Sequence, residues 1–259
     1  MKEKTIGFIG GGRVARIILG GFKKAGRMPD TIVVSDTDAG VLKKLQSEFP
    51  GIHSVINNNR EAAAQDLVFL GLHPPALAGS MAGLRGCLKP DAILISLAPK
   101  LSIAKLSDGL GGFNRIVRLI PNAASIIGEG YNPVVFSGAL NRQEKEELQD
   151  FFSVLGKCPE VEEQKLEAYA IVTAMGPTYL WFQWQELRSL AESFGMTAAE
   201  AETGIAEMVA GAAKTLFGSG MAAEEVMDLI PVKPLGEEEK IIRAMYNSKL
   251  RPLYEKLKS

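Results

Sequence analysis

The residues best suited to chemistry open the chain. Gly10, Gly11 and Gly12 follow the β-forming run Thr5–Ile9 and lead through Arg13, Val14 and Ala15 into an apolar-periodic segment. Strand, GxGxxA turn and helix in that order make a place for a diphosphate. Gly10 makes the tight turn, Gly12 lets an anion approach the backbone, and Ala15 lets the helix lie close on the sheet. The helix start then offers unpaired N–H groups and a partial positive charge. Asp36 ends a second β-forming run, Thr31–Ser35. An acid at that place contacts ribose hydroxyls and repels a 2′-phosphate, which biases the site towards NAD. Two readings stay open there: Asp36 as a solvated cap for a helix starting near 39, and NADP accommodated by Arg13.

Other chemistries find little support. The two histidines, His53 and His73, and the two cysteines, Cys87 and Cys158, stand at no metal-ligand spacing. No metal is expected, and the cysteines read as reduced thiols. A formal net charge of -1 gives no electrostatic case for nucleic acid or an anionic membrane. The longest uncharged run, "AYAIVTAMGPTYLWFQWQ", contains Gly176-Pro177 and polar residues, so it reads as buried helix rather than a membrane span. With a strand beginning almost at once and no room for a signal peptide, the expected location is cytoplasmic.

The elements that would position the glycine turn alternate in type. Candidate strands are 5–9, 31–35, 66–72, 91–97, 115–120 and 133–136, rich in Val, Ile and Leu without polar alternation. Helical spacing falls between them, as at Val41, Leu42, Leu45 and Phe49, and again at Leu148, Phe151, Phe152 and Leu155. That alternation predicts a doubly wound α/β domain over 1–160 with a mainly parallel sheet. Beyond it the strand pattern stops. Stripes such as Leu187, Leu190, Ala191 and Phe194, or Ile205, Met208, Val209 and Ala212, predict an all-helical domain over 161–259. Its Ala and Met content suggests a core completed by another subunit.

The segment "RIVRLIPNAASIIGEG", with Arg118, Pro121-Asn122 and Gly128-Glu129-Gly130, resembles the pyrroline-5-carboxylate reductase family. So do "GFIGGGRVARIILGGF", "NNNREAAAQDLVFLGLHPP", "ISLAPKLSIAKL" and "GAAKTL". The resemblance runs from residue 5 to about 220 and weakens between 224 and 240. It implies a Rossmann domain, a C-terminal helical dimerisation domain and reduction of a cyclic imine to proline with NADPH or NADH. Carried over by motif, the cofactor residues are Gly10, Gly11, Gly12, Arg13 and Val14, then Ser35, Asp36 and Thr37. Asn59, Leu72, His73, Pro74, Ala98 and Asn122 complete them. His73 stands where relatives commonly have lysine, and a purely loop-shaping role is its alternative.

On the substrate side the resemblance implies Glu163, an acid close to the imine, with Met175 and Gly176. Here the chain departs from the family. Thr173-Ala174-Met175-Gly176-Pro177-Thr178 stands for Ser-Gly-Ser-Gly-Pro-Ala, so Met175 replaces a hydroxyl. Lys233-Pro234-Leu235-Gly236-Glu237-Glu238 stands for a Ser-Pro-Gly-Gly-Thr-Thr loop that meets the substrate carboxylate. Those glutamates either repel a carboxylate or serve as acids at a helix start. Hydride transfer to a protonated imine asks little of side chains beyond alignment. Three functions therefore stand: a pyrroline-5-carboxylate reductase, a reductase of the same fold for another imine or carbonyl, and a dinucleotide sensor without turnover.

Overall fold

The computed structural model describes residues 4–72 and 74–258. It opens with strand β1 (Ile6–Ile9), helix α1 (Arg13–Lys24) and strand β2 (Ile32–Asp36). Next come α2 (Ala39–Glu48), β3 (His53–Ile56), α3 (Asn59–Ala63), β4 (Leu67–Leu70), α4 (Pro74–Leu84) and β5 (Ile93–Ser96). They are followed by α5 (Ile103–Gly109), β6 (Ile116–Leu119), β7 (Gly130–Tyr131), β8 (Val134–Phe136), α6 (Arg142–Phe152) and β9 (Gly156–Lys157). The seven-stranded sheet has the order β3-β2-β1-β4-β5-β6-β8, all parallel except β8 against β6. Strand order reverses between β1 and β4, so the crevice beyond their carboxyl ends is where a Rossmann sheet takes its ligand.

Every residue of β1, β4, β5 and β6 is buried, as a sheet covered on both faces requires. Phe8, Phe69 and Ile95 pack on one face with Ile18, Phe22 and Phe152; Ile9, Leu70 and Leu94 pack on the other with Leu77 and Leu106. The sequence pattern did not predict β3. His53 and Ile56 are exposed on this edge strand, so it lacks the apolar run that marks its neighbours.

The second half contains α7 (Leu166–Tyr169), α8 (Pro177–Ser193), α9 (Ala198–Gly218), α10 (Ala223–Asp228) and α11 (Glu239–Lys258). The chain forms two compact units, Met1–Met175 with Tyr254–Ser259, and Gly176–Leu253. The first therefore runs past 160. Leu166 and Ala170 are buried against Ile120 and Val135, which ties 161–175 to the sheet. The long apolar run is not one buried helix either. A π-turn at Ala170–Ala174 breaks it, and α8, which follows, has no buried residue.

Candidate functional site

A cavity of about 370 Å³ opens at the carboxyl ends of β1 and β4. Gly10, Gly12, Arg13, Val14, Asp36, Leu72 and Ala98 line it, bringing half of the motif-assigned cofactor residues to one place. Gly10 adopts φ +101°, and a Cβ there would lie 2.9 Å from the Gly71 carbonyl oxygen. Only glycine fits that turn without strain. Gly12 differs: a Cβ would meet nothing within 4 Å. Its lack of a side chain serves no packing inside the chain and leaves space on the cavity side. Gly12 also caps α1 without a side-chain hydrogen bond, and the first turn of α1 carries no acid. The leading N–H groups of that helix are thus available to an anion. These features fit a dinucleotide diphosphate.

Asp36 is held at the same turn. Its Oδ2 accepts from the Gly11 amide at 2.7 Å and its Oδ1 from the Asp38 amide at 3.0 Å. The helix cap belongs to Asp38, which accepts from Gly40 and Val41. Asp36 is left bordering the cavity, as ribose contact requires. Ser35 and Asn59 stand behind it: the buried Ser35 hydroxyl donates to Asn59 Oδ1 at 2.8 Å. They brace the end of β2 rather than line the space, and exposed Thr37 does not line it either. His73 lies outside the described residues, and Pro74 begins α4.

The remaining candidates gather elsewhere. Asn122 ties a loop: its amide donates to Asn132 Oδ1 at 2.7 Å, its side-chain carbonyl accepts from Ala124, and its side-chain NH₂ donates to the Thr173 carbonyl. Glu163 Oε1 accepts from the Ile103 amide at 2.7 Å and from Arg118 Nη1 at 3.1 Å. The Met175 amide donates to the Ala170 carbonyl at 3.0 Å, and the Gly176 carbonyl accepts from Tyr179 at the start of α8. Glu237 and Glu238 are exposed just before α11, where Glu238 supplies the carbonyl for Ile242, in keeping with the helix-start reading. Lys233 faces Asp228 at 3.9 Å.

Arg118 has partners that the sequence did not show, and Cys158 keeps the reduced-thiol reading. Arg118, buried on β6, donates through Nη2 to Glu167 Oε1 at 2.6 Å as well as to Glu163. An arginine inside the apolar run "RIVRLI" signals that a buried partner exists, without saying which. Burial pushes the Cys158 thiol up to about 11, opposed by the Asn132 side-chain amide, so it is no thiolate nucleophile near neutral pH. Among the described residues no group of three or more His, Cys, Asp or Glu could hold a metal, and no helix is long and apolar enough to cross a membrane.

Residues 5–100 match the family described as "NADP oxidoreductase coenzyme F420-dependent". Over 255 residues the chain is 26% identical to a pyrroline-5-carboxylate reductase of Methanosarcina acetivorans, covering 98% of this chain and 94% of that one. A solved pyrroline-5-carboxylate reductase from Coxiella burnetii is 25% identical, with a TM-score of 0.67 over 98% of this chain and 94% of that one. The fold also matches a pyrroline carboxylate reductase from Plasmodium falciparum solved with NADP bound, at 18% identity and a TM-score of 0.74, covering 100% of this chain and 95% of that one. The glycine turn and the strand order thus stand beside near full-length similarity to pyrroline-5-carboxylate reductases.

Proposed function

We propose that this chain is an NAD(P)H-dependent reductase that converts 1-pyrroline-5-carboxylate to proline. The cavity at the glycine turn carries the reading, because its open side at Gly12 and uncapped helix start suit a diphosphate. A bound reduced dinucleotide supplies the hydride. The chain's own residues bind and align: α1 holds the diphosphate, Asp36 takes a ribose hydroxyl, and Leu72 and Ala98 wall the inner end. Ile103 and Arg118 both meet Oε1 of Glu163, and its second oxygen, Oε2, would accept from the protonated imine nitrogen. The carbon gains the hydride while the nitrogen keeps its proton, so no further acid is required.

Asp36, fixed by Gly11 and Asp38, favours NADH, while Arg13 on the same cavity keeps NADPH usable. A homodimer through residues 176–253 is part of the proposal, supported by the apolar side chains exposed there, among them Trp181, Phe182 and Phe194. A cytoplasmic location accords with the proposed substrate. Met175 and the rewritten 233–238 segment favour a second reading, a reductase of another imine.

Steady-state oxidation of NADPH and NADH with pyrroline-5-carboxylate tests the proposal. Turnover at an ordinary enzymatic rate is expected. Dinucleotide binding with no turnover on this compound overturns it, and turnover on a different cyclic imine alone selects the second reading.

A further inference from the structure

Among the described residues, Arg118 is the largest fully buried side chain. A buried guanidinium is costly unless its donors are met, and two carboxylates meet it here. Both acids also reach the same piece of backbone. Glu167 Oε1 accepts from the Lys100 amide at 3.2 Å, and Glu163 Oε1 accepts from the Ile103 amide at 2.7 Å. Lys100 sits at φ +87°, a conformation an L residue holds only when its surroundings enforce it. Leu97, Ala98 and Pro99, just before it, form a wall of the dinucleotide cavity.

From this arrangement we infer that Arg118 is a positioning residue for the reduction. Through Glu163 and Glu167 it clasps the turn 97–103 from the sheet side and sets the wall against which the reactive end of the dinucleotide rests. This rests on the reductase reading for its kinetic consequence, but not for the clasp itself. Arg118 leaves β6 at the position registered with Ser96 of β5, whose buried hydroxyl, like Arg118 Nε, has no hydrogen-bond partner. Arginine's two terminal nitrogens are therefore committed to the carboxylates and not to the strand beside it. The planar fork suits two carboxylates at once; a single ammonium does not.

The test uses Arg118→Lys, Arg118→Met and Glu167→Gln in the full chain. Amide hydrogen exchange at Lys100 and Ile103 is measured without nucleotide, NADPH affinity by titration calorimetry, and the hydride step by single-turnover oxidation of NADPH with pyrroline-5-carboxylate. Exchange at both amides is expected to quicken by about 10-fold or more. The hydride step should slow by about 10-fold in Glu167→Gln and about 100-fold in Arg118→Lys, with NADPH affinity changed by less than about 5-fold, since displacement of a reacting group by an ångström costs on that order. If Arg118→Met does not fold, the other two variants decide. Exchange within twofold of wild type in folded variants overturns the clasp. So does a slowed hydride step matched by an equal loss of affinity. Should the wild type fail to turn over, the reductase reading falls, while exchange and NADPH affinity still decide the clasp.

Discussion

The sheet and the helices beyond it handle apolar surface in opposite ways. Around β1, β4, β5 and β6 every strand residue is buried, with facing aromatics such as Phe8 and Phe69 stacked 4.7 Å apart. In α8 and α10 no residue is buried, and in α9 only Ala201 is. Phe182, Phe194 and Phe217 stand 68%, 78% and 85% exposed. Large apolar side chains left in water are the surface that the proposed homodimer would cover. A groove of about 550 Å³ between Trp181, Trp184, Ile205 and Val209 lies within this same unit. The first unit thus builds its cofactor turn on a finished core. For the second, stability is expected to follow protein concentration.

The largest effect is expected at the turn. Gly12→Val should raise the Kd for NADPH and NADH by about 100-fold or more by filling the phosphate's approach, while costing no more stability than a poorer N-cap, about 1 kcal/mol, because a Cβ there touches nothing. Gly10→Ala should do the reverse in kind: strain at φ +101° and the 2.9 Å contact with Gly71 should cost about 1–3 kcal/mol of stability. Calorimetric titration beside thermal melting separates the two, and a larger loss of stability in Gly12→Val than in Gly10→Ala would break the contrast.

Next in size, paired replacement of Phe182 and Leu190 by Asp should weaken self-association by at least about 10-fold and abolish any dependence of melting on concentration. Sedimentation equilibrium checks this, and an unchanged, monomeric wild type would remove the second half of the comparison. Asp36→Ser should move the kcat/KM ratio towards NADPH by about 10-fold, as the repulsion of a 2′-phosphate is lifted. Competing-cofactor kinetics read that shift directly.

The smallest expected effect lies at the amino-terminal side of the sheet. Burial pushes the Asp66 carboxyl upward, but Lys89 at 2.6 Å, with the Thr5 amide and hydroxyl at 2.9 Å, outweighs it and holds the group below its usual range. A lowered folded-state pKa favours the ionised form in the native chain. Its contribution is therefore present above the ordinary carboxylate range and lost as pH falls through the folded value. Asp66→Asn should flatten the acid limb of stability below about pH 4, as read by urea unfolding at a series of pH values.

Much of the fold was legible because its signals are local. The apolar runs, the glycine turn and the helical stripes each span a few residues, and they predicted six of the sheet's strands as well as the helical second half. Edge strand β3 escaped because half-exposed residues carry no apolar run. The division near 160 missed the burial of Leu166 and Ala170 against the sheet, a contact between distant segments. At the site, spacing leaves Asp36 open as cap or ribose ligand, and only the folded chain gives the cap to Asp38.

Residue types and spacing alone were enough for the diphosphate turn, since strand end, GxGxxA and helix start are consecutive and backbone sterics leave them one arrangement. They could not choose partners for Arg118. The chain has 30 acidic residues, and helical or strand periodicity says nothing about which two come within reach of a buried guanidinium. Packing of the 161–175 segment on the sheet made that choice, bringing Glu163 and Glu167 to Arg118 across 45 and 49 residues of chain. The same two acids also accept from the Lys100 and Ile103 amides, because a buried charge is tolerated only where its partners are already held.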